Sequence, residues 1–306
     1  MSVFALTEGQ LDERFAQVPV LSRGPRTLED LSGGLTNRNV KVTTPDGVYV
    51  VRVSDDNAGE LDIDREAEVA NTCAAAEAGV GAPVLGSRPD LGLLVIGFLE
   101  GETLSNETFR AEGFATRAGQ AIRQLHEGPR FANDFDMFAR QRRYRERCAS
   151  QGFRIPDGYD EHAGTLAEIG RALAVRDEPT VPCNNDLLAE NFIDDGEKVW
   201  LIDYDYSGNN DACFELGNCW AECRLDEEHL EALVTAYFGE PRPEMVARAR
   251  LQAVVSQYGW SLWGFIQSAV SSLDHDFWEW GTEHYEWAVA QMRSPGFRSL
   301  LDGATS

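Results

Sequence analysis

The chain has 306 residues, 43% of them hydrophobic, which is ample for two lobes with packed cores. Its formal net charge of −24 argues against a nucleic-acid binder and against docking on an anionic membrane. No apolar run is long enough to cross a bilayer. The start, Met1-Ser2-Val3-Phe4-Ala5, lacks the basic region of an export signal, so a cytoplasmic location is expected. The six cysteines include no C-x-x-C pair and the five histidines no metal spacing, so free thiols and structural histidines are expected, not zinc.

Residues 1–26 are predicted to form a leading helix and linker. Leu31-Ser32-Gly33-Gly34-Leu35-Thr36-Asn37-Arg38 then runs into a strand from Asn39 to Thr43. The turn Pro45-Asp46-Gly47 leads to a second strand, Val48–Val53, which carries Arg52. A glycine-containing start to such a hairpin can fold over phosphates, because glycine lets backbone N–H groups approach them. Asp64–Ala70 opens a helix holding two candidate acidic partners for Arg52, of which Glu68 is preferred over Glu66. Leu93–Gly97 is an apolar strand entering a loop at Phe98-Leu99. Phe114 to His126 has helical apolar spacing, as has Tyr159 to Leu173. Between them, the basic run Arg140–Arg147 is expected to be a solvated helix face. The fold class expected is α+β: a smaller lobe with an antiparallel sheet over residues 1–101 and a larger, mostly helical lobe over residues 102–306.

The chemistry concentrates at Cys183-Asn184-Asn185-Asp186-Leu187-Leu188-Ala189-Glu190-Asn191, followed by Leu201-Ile202-Asp203-Tyr204-Asp205. Asn191-Phe192-Ile193 and Val199-Trp200-Leu201-Ile202 flank an Asp-Gly turn and read as a hairpin. That hairpin sets Asn191 and Asp203 side by side. A carboxylate and an amide oxygen suit Mg²⁺, which prefers hard oxygen ligands and keeps several waters. Phosphoryl transfer from ATP needs such a metal pair and a further carboxylate that orients and deprotonates the acceptor hydroxyl. Asp186 is the candidate base, and Asn191 and Asp203 are the candidate metal ligands.

This segment resembles the choline/ethanolamine kinase branch of the aminoglycoside-phosphotransferase-like kinases. That family carries His-x-Asp-x4-Asn, then an Asp-Phe-Glu-Tyr-like motif, then a Phe-Asp-Ile-Gly-Asn-like motif. Here they stand as Asn184-Asn185-Asp186 to Asn191, Asp203-Tyr204-Asp205-Tyr206 and Phe214-Glu215-Leu216-Gly217-Asn218. The resemblance extends from about Leu31 to Trp287, starting with the Gly-Gly-Leu-Thr-Asn match at Gly33, Gly34 and Asn37. It implies a protein-kinase-like fold with ATP between the lobes, Arg52 on the phosphates and paired with Glu68, and the Phe98-Leu99 backbone on the adenine edge. Two departures stand out: Asn184 replaces the motif His, and Asp205 replaces the usual Glu.

The resemblance also bears on the acceptor. Trp260 and Trp263 lie three apart on a predicted helix and share a face, and Trp280 follows downstream. In choline kinases similar rings line a box for a trimethylammonium head, each face worth about 2 kcal/mol when desolvated. Glu222 matches the family's acid there, and Asp205 is expected to add charge nearby. The expected reaction is ATP-dependent phosphorylation of a small cationic alcohol, choline first. Ethanolamine, thiamine or an aminoglycoside are alternative acceptors, and a non-catalytic, pseudokinase-type ligand-binding protein is the alternative from another class. Oligomeric state is left open.

Overall fold

The computed structural model describes residues 3–31, 34–54 and 61–306; Gly33 therefore lies outside the described residues. The smaller lobe is built on a five-stranded antiparallel sheet. Its strands are β1 (Thr27–Leu31), β2 (Asn37–Thr44), β3 (Gly47–Ser54), β4 (Val84–Arg88) and β5 (Leu93–Gly97), in the order β1-β2-β3-β5-β4. Val40, Val42, Val51 and Val53 recur with strand period and are buried. The leading segment is more than a linker. Helix α1 (Glu8–Phe15) and the turn after it lay Leu11, Phe15, Val18 and Leu21 into the same apolar cluster. Helix α2 (Arg65–Glu77) stands between β3 and β4, capped by Asp64, whose side chain accepts from the Glu66 and Ala67 amides.

The larger lobe begins with β6 (Glu102–Thr103), α3 (Asn106–Phe109) and α4 (Phe114–His126), which buries Phe114, Ala118, Ile122 and Leu125. Next come α5 (Met137–Gln151), α6 (Ala163–Leu173) and the short strands β7 (Thr180–Cys183), β8 (Phe192–Asp194), β9 (Val199–Leu201) and β10 (Gly208–Asp211). β8 and β9 form the hairpin at the Asp-Gly turn, with Phe192 opposite Leu201. Helices α7 (Ala212–Glu222), α8 (Glu227–Phe238), α9 (Pro243–Val270), α10 (Phe277–Met292) and α11 (Phe297–Ala304) complete the chain. The 28-residue α9 is the spine of this lobe, with α5, α7, α10 and α11 packed on it. No helix among the described residues is long and apolar enough to cross a membrane.

Two features set the geometry of the cleft. First, α9 and α10 approach through glycines: a Cβ on Gly264 would lie 2.8 Å from Gly281 Cα and 2.8 Å from a ring carbon of Trp280. Gly264→Ala should therefore push α10 and Trp280 off α9, at a cost of about 1–3 kcal/mol. The expected readout is a lower Tm with the helical content kept. An unaltered Tm would mean that the helices are not so tightly apposed. Second, the basic run on α5 is not a uniformly solvated face. Arg143 and Arg145 pair with Asp62 and Asp160 at the surface, but Arg140 is buried. Its guanidinium stands 5.2 Å from the Tyr206 ring centroid and 5.9 Å from that of Trp260, and donates to Leu61 O at 3.2 Å. The aromatic neighbours and the Leu61 carbonyl compensate the charge that leaves water.

Candidate active site

A cleft of about 1300 Å³ opens between the sheet of the smaller lobe and the α7–α9–α10 side of the larger one. It brings together Gly34, Arg52, Phe98, Leu99, Asp186, Asn191, Asp203, Asp205, Glu222, Trp260, Trp263 and Trp280. Asn37 and Glu68 stand behind this lining, bonded to groups that face it.

Arg52 is the hub on the smaller-lobe side. Its Nη1 lies 2.7 Å from Glu68 Oε1 and 2.5 Å from Asp205 Oδ1, and its Nη2 lies 2.6 Å from Asp203 Oδ1. Glu66 sits on the exposed side of α2, so the pairing falls to the buried Glu68. Arg65 adds bonds to Glu68 at 2.8 Å and Asp205 at 3.0 Å, and donates to Asn37 Oδ1 at 3.0 Å. Asp205 also accepts from Asn37 Nδ2 at 2.7 Å and from the Thr36 hydroxyl at 3.1 Å. Two guanidiniums thus face three carboxylates, an excess of one negative charge when all are ionised. Burial pushes Asp203 up more than Arg52 draws it down. Burial also opposes the charge on Asp205, but Arg52 and Arg65 outweigh it and hold that carboxyl below its ordinary value. The side-chain partners of Asp205 are all smaller-lobe groups. The two arginines thus hold it in place, while its charge still bears on Tyr206, whose ring packs against Trp260.

The catalytic loop follows β7. Asn185 adopts a left-handed backbone, φ 69°, which Asn tolerates better than most residues. Its amide donates to the carbonyls of Cys183, Tyr206 and Gly208. Glu215, from the third motif, accepts the Asn184 and Asn185 amides at 2.7 and 2.6 Å. Although Glu215 stands near His126 and Cys183, its carboxylate is thereby spent on anchoring the loop. Asn184 replaces the family's His and still bonds in both directions. Its Nδ2 donates to Asp203 O at 2.7 Å and Ile202 O at 3.1 Å, while its Oδ1 accepts the Asp186 amide at 3.1 Å. Asn184 therefore ties Asp186 to Asp203, whose own backbone is left-handed at φ 64°. Asn191 Nδ2 donates to Asp186 O at 2.7 Å, which leaves its amide oxygen to face the cleft. Burial, then the charges of Glu222, Asp203 and Asp205, push Asp186 well above the usual carboxylate range.

At the hinge, the Phe98 amide donates to Val48 O at 3.3 Å, so that N–H is committed within the protein. An adenine edge here is left with the Phe98 carbonyl and the groups of Leu99.

The aromatic side is assembled by α9 and α10. Trp263 and Trp280 meet edge to face at 5.1 Å, and Trp260 meets Tyr206 at 4.8 Å. The Trp263 N–H donates to the Tyr206 hydroxyl at 2.7 Å. Trp260 and Trp263 are mostly buried; Trp280 is more open. Glu222, at the end of α7, accepts from Gln257 Nε2 at 2.6 Å and stands 3.2 Å from His284 Nε2. From sequence His284 reads as structural, and Gln257 carries no mark of a site residue. Their spacing from Glu222, 62 and 35 residues, carries no local signal.

Residues 27–251 match the phosphotransferase enzyme family. A crystal structure of a choline/ethanolamine kinase family protein from Mesorhizobium loti is 31% identical, with a TM-score of 0.85, and the alignment covers 97% of this chain and 98% of that one. The chain belongs to the choline/ethanolamine kinase family. It is also similar to a probable ethanolamine kinase of Arabidopsis thaliana, 24% identical over 82% of this chain and 75% of the relative. Choline kinase LicA from Streptococcus pneumoniae shares the fold, with a TM-score of 0.78 at 21% identity over 93% of this chain and 98% of that one. The chain therefore has the two-lobed, kinase-like α+β fold and the phosphotransferase character of small-molecule kinases.

Proposed function

We propose that the chain transfers the γ-phosphoryl group of Mg-ATP to the hydroxyl of a small cationic amino alcohol, with choline as the preferred acceptor. The observation that carries this reading is that Asp186 and Glu222 share one cleft closely enough for Glu222 to perturb Asp186, with Trp260, Trp263 and Trp280 in the same lining. A base for the hydroxyl and an acid for the cation fit the two ends of a short amino alcohol. Aromatic faces suit a quaternary head that has no N–H to donate.

In this reading Asp186 orients the hydroxyl and accepts its proton as the oxygen attacks phosphorus and the bond to ADP breaks. Asn191 and Asp203 would hold Mg²⁺; their hard oxygens suit it, and the buried Asp203 carboxylate, crowded by Asp205, would gain from a cation beside it. When bound, that ion offsets the charge of the phosphate oxygens. Arg52, braced by Glu68 and Asp205, holds Asp203 directly and would supply charge toward the phosphates, with Gly34 facing them ahead of β2 and Asn37 bracing Asp205 from behind. Phe98 and Leu99 flank the adenine.

The test is ADP release from Mg-ATP with choline, ethanolamine, thiamine and kanamycin supplied separately. Choline is expected to give the highest kcat/KM. A preference for kanamycin would overturn the amino-alcohol reading. ATP binding without turnover on any of them would favour a ligand-binding protein instead. Preference for ethanolamine is the nearest alternative, because the Glu222 carboxylate could accept hydrogen bonds from a primary ammonium.

A further inference from the structure

The surroundings of Glu222 contain a second titratable group. His284, on α10, is buried in the cleft lining and bonded at both ring nitrogens. Nδ1 lies 2.8 Å from the Trp280 carbonyl oxygen, which can only accept, so Nδ1 carries a proton. Nε2 lies 3.2 Å from Glu222 Oε2. With Nδ1 protonated, a neutral imidazole would turn a lone pair toward a carboxylate oxygen. The contact is favourable only when a proton lies between them, so the His284–Glu222 pair is a proton-holding, net-neutral unit. The imidazole also stacks on Trp280, with centroids 3.7 Å apart and planes at 28°. A resident cation thus lies against both an acid and a ring of the cation subsite.

We propose that His284 is a specificity-determining residue whose proton competes with the substrate's ammonium for Glu222, so that amino-alcohol binding expels that proton. The inference rests on the amino-alcohol reading of the site and says how the head-group subsite tunes its charge. Other groups facing the pair come from several elements. Gln257 on α9 is a neutral donor to Glu222. Arg224, just after α7, is paired with Glu283 of α10 at 2.6 Å. Asp186 of the catalytic loop lies beyond Glu222 and feels its charge. Burial opposes a charged His284, but Glu222 outweighs burial and raises the imidazolium above its ordinary 6.5. The proton is therefore held to higher pH than on a free imidazole and is lost as pH climbs through that raised value. Loss of the proton leaves Glu222 free for the substrate. A primary ammonium gains more than a quaternary one, because it can donate to the released oxygen.

Two measurements test this. In the first, the amino-alcohol KM should fall by about tenfold from pH 6 to pH 9, the equivalent of about one unit of pKa coupling, while the ATP KM stays level. The fall should be steeper for ethanolamine than for choline, and His284→Gln, which keeps a donor without a titrating charge, should flatten it. In the second, calorimetry of the unaltered protein with Mg-ADP and choline, in buffers of different ionisation enthalpy, should show proton release on binding near neutral pH. Turnover with a pH-independent acceptor KM, or binding without proton release, would overturn the role of His284 and leave the kinase reading standing. A KM trend that survives His284→Gln would overturn it too, by assigning the titration to another group. Absence of turnover with every amino alcohol would sink the underlying reading and this inference with it.

Discussion

Asp186→Asn should lower kcat by about 10²- to 10⁴-fold, the range a positioned general base contributes, and leave ATP affinity nearly unchanged. Stability should move the other way. Asp186 is pushed up by burial and by Glu222, Asp203 and Asp205, so its charge is a burden on the folded state. Asparagine keeps the size and removes that charge. The variant should melt at the same temperature as the parent or higher, the usual signature of a residue kept for function. Turnover assays, nucleotide titration calorimetry and a thermal melt read the three quantities. Retained turnover would remove Asp186 from the role of base. Lost turnover together with a lower Tm would make it a structural residue.

Arg52→Met carries the second large effect. Methionine approximates the volume of arginine but leaves Glu68, Asp203 and Asp205 with Arg65 as their nearest cation. Removing one partner from a buried ionic cluster costs about 3–5 kcal/mol, because the remaining charges stay desolvated. The loss should depend on pH. Burial and the neighbouring Asp205 already push Glu68 from 4.5 up to about 7, so the folded state keeps a proton that the unfolded chain releases. Such a group destabilises the fold progressively as pH rises from 4.5 through 7. Without Arg52 the slope should steepen, so the deficit in Tm should be larger at pH 8 than at pH 5. A pH-independent deficit would mean that the cluster acts by packing alone.

Much of this site could be read from the sequence because its parts are local. Asp186 and Asn191 belong to one loop, and the Asp-Gly turn brings the strand before Asp203 back beside Asn191. Trp260 and Trp263 share a face by helical spacing, and the charged helix after Arg52 offered few acids to pair with it. What stayed hidden depends on contacts between distant segments. Nothing near Asp205 announces that Arg52 and Arg65 will claim it, and nothing near Arg140 distinguishes it from the exposed arginines that follow. His284 is unremarkable until α7 and α10 bring Glu222 to it. The Gly264–Gly281 approach was equally silent, since a glycine's neighbours across a helix interface have no mark in the local chain.

The cluster around Arg52 also bears on the order in which this chain can take shape. Arg52 and Arg65 leave the ribosome well over a hundred residues ahead of Asp203 and Asp205, and until those arrive Glu68 is their single acidic partner in the cluster. A nascent sheet lobe would have to bury a surplus positive charge, which water resists giving up. The strands have an apolar cluster of their own, but the charges at their junction with α2 balance only once Asp203 and Asp205 are in place. The apolar contacts run the same way, since the larger lobe's cluster takes in Ala75 and Val80 from α2 and the turn after it.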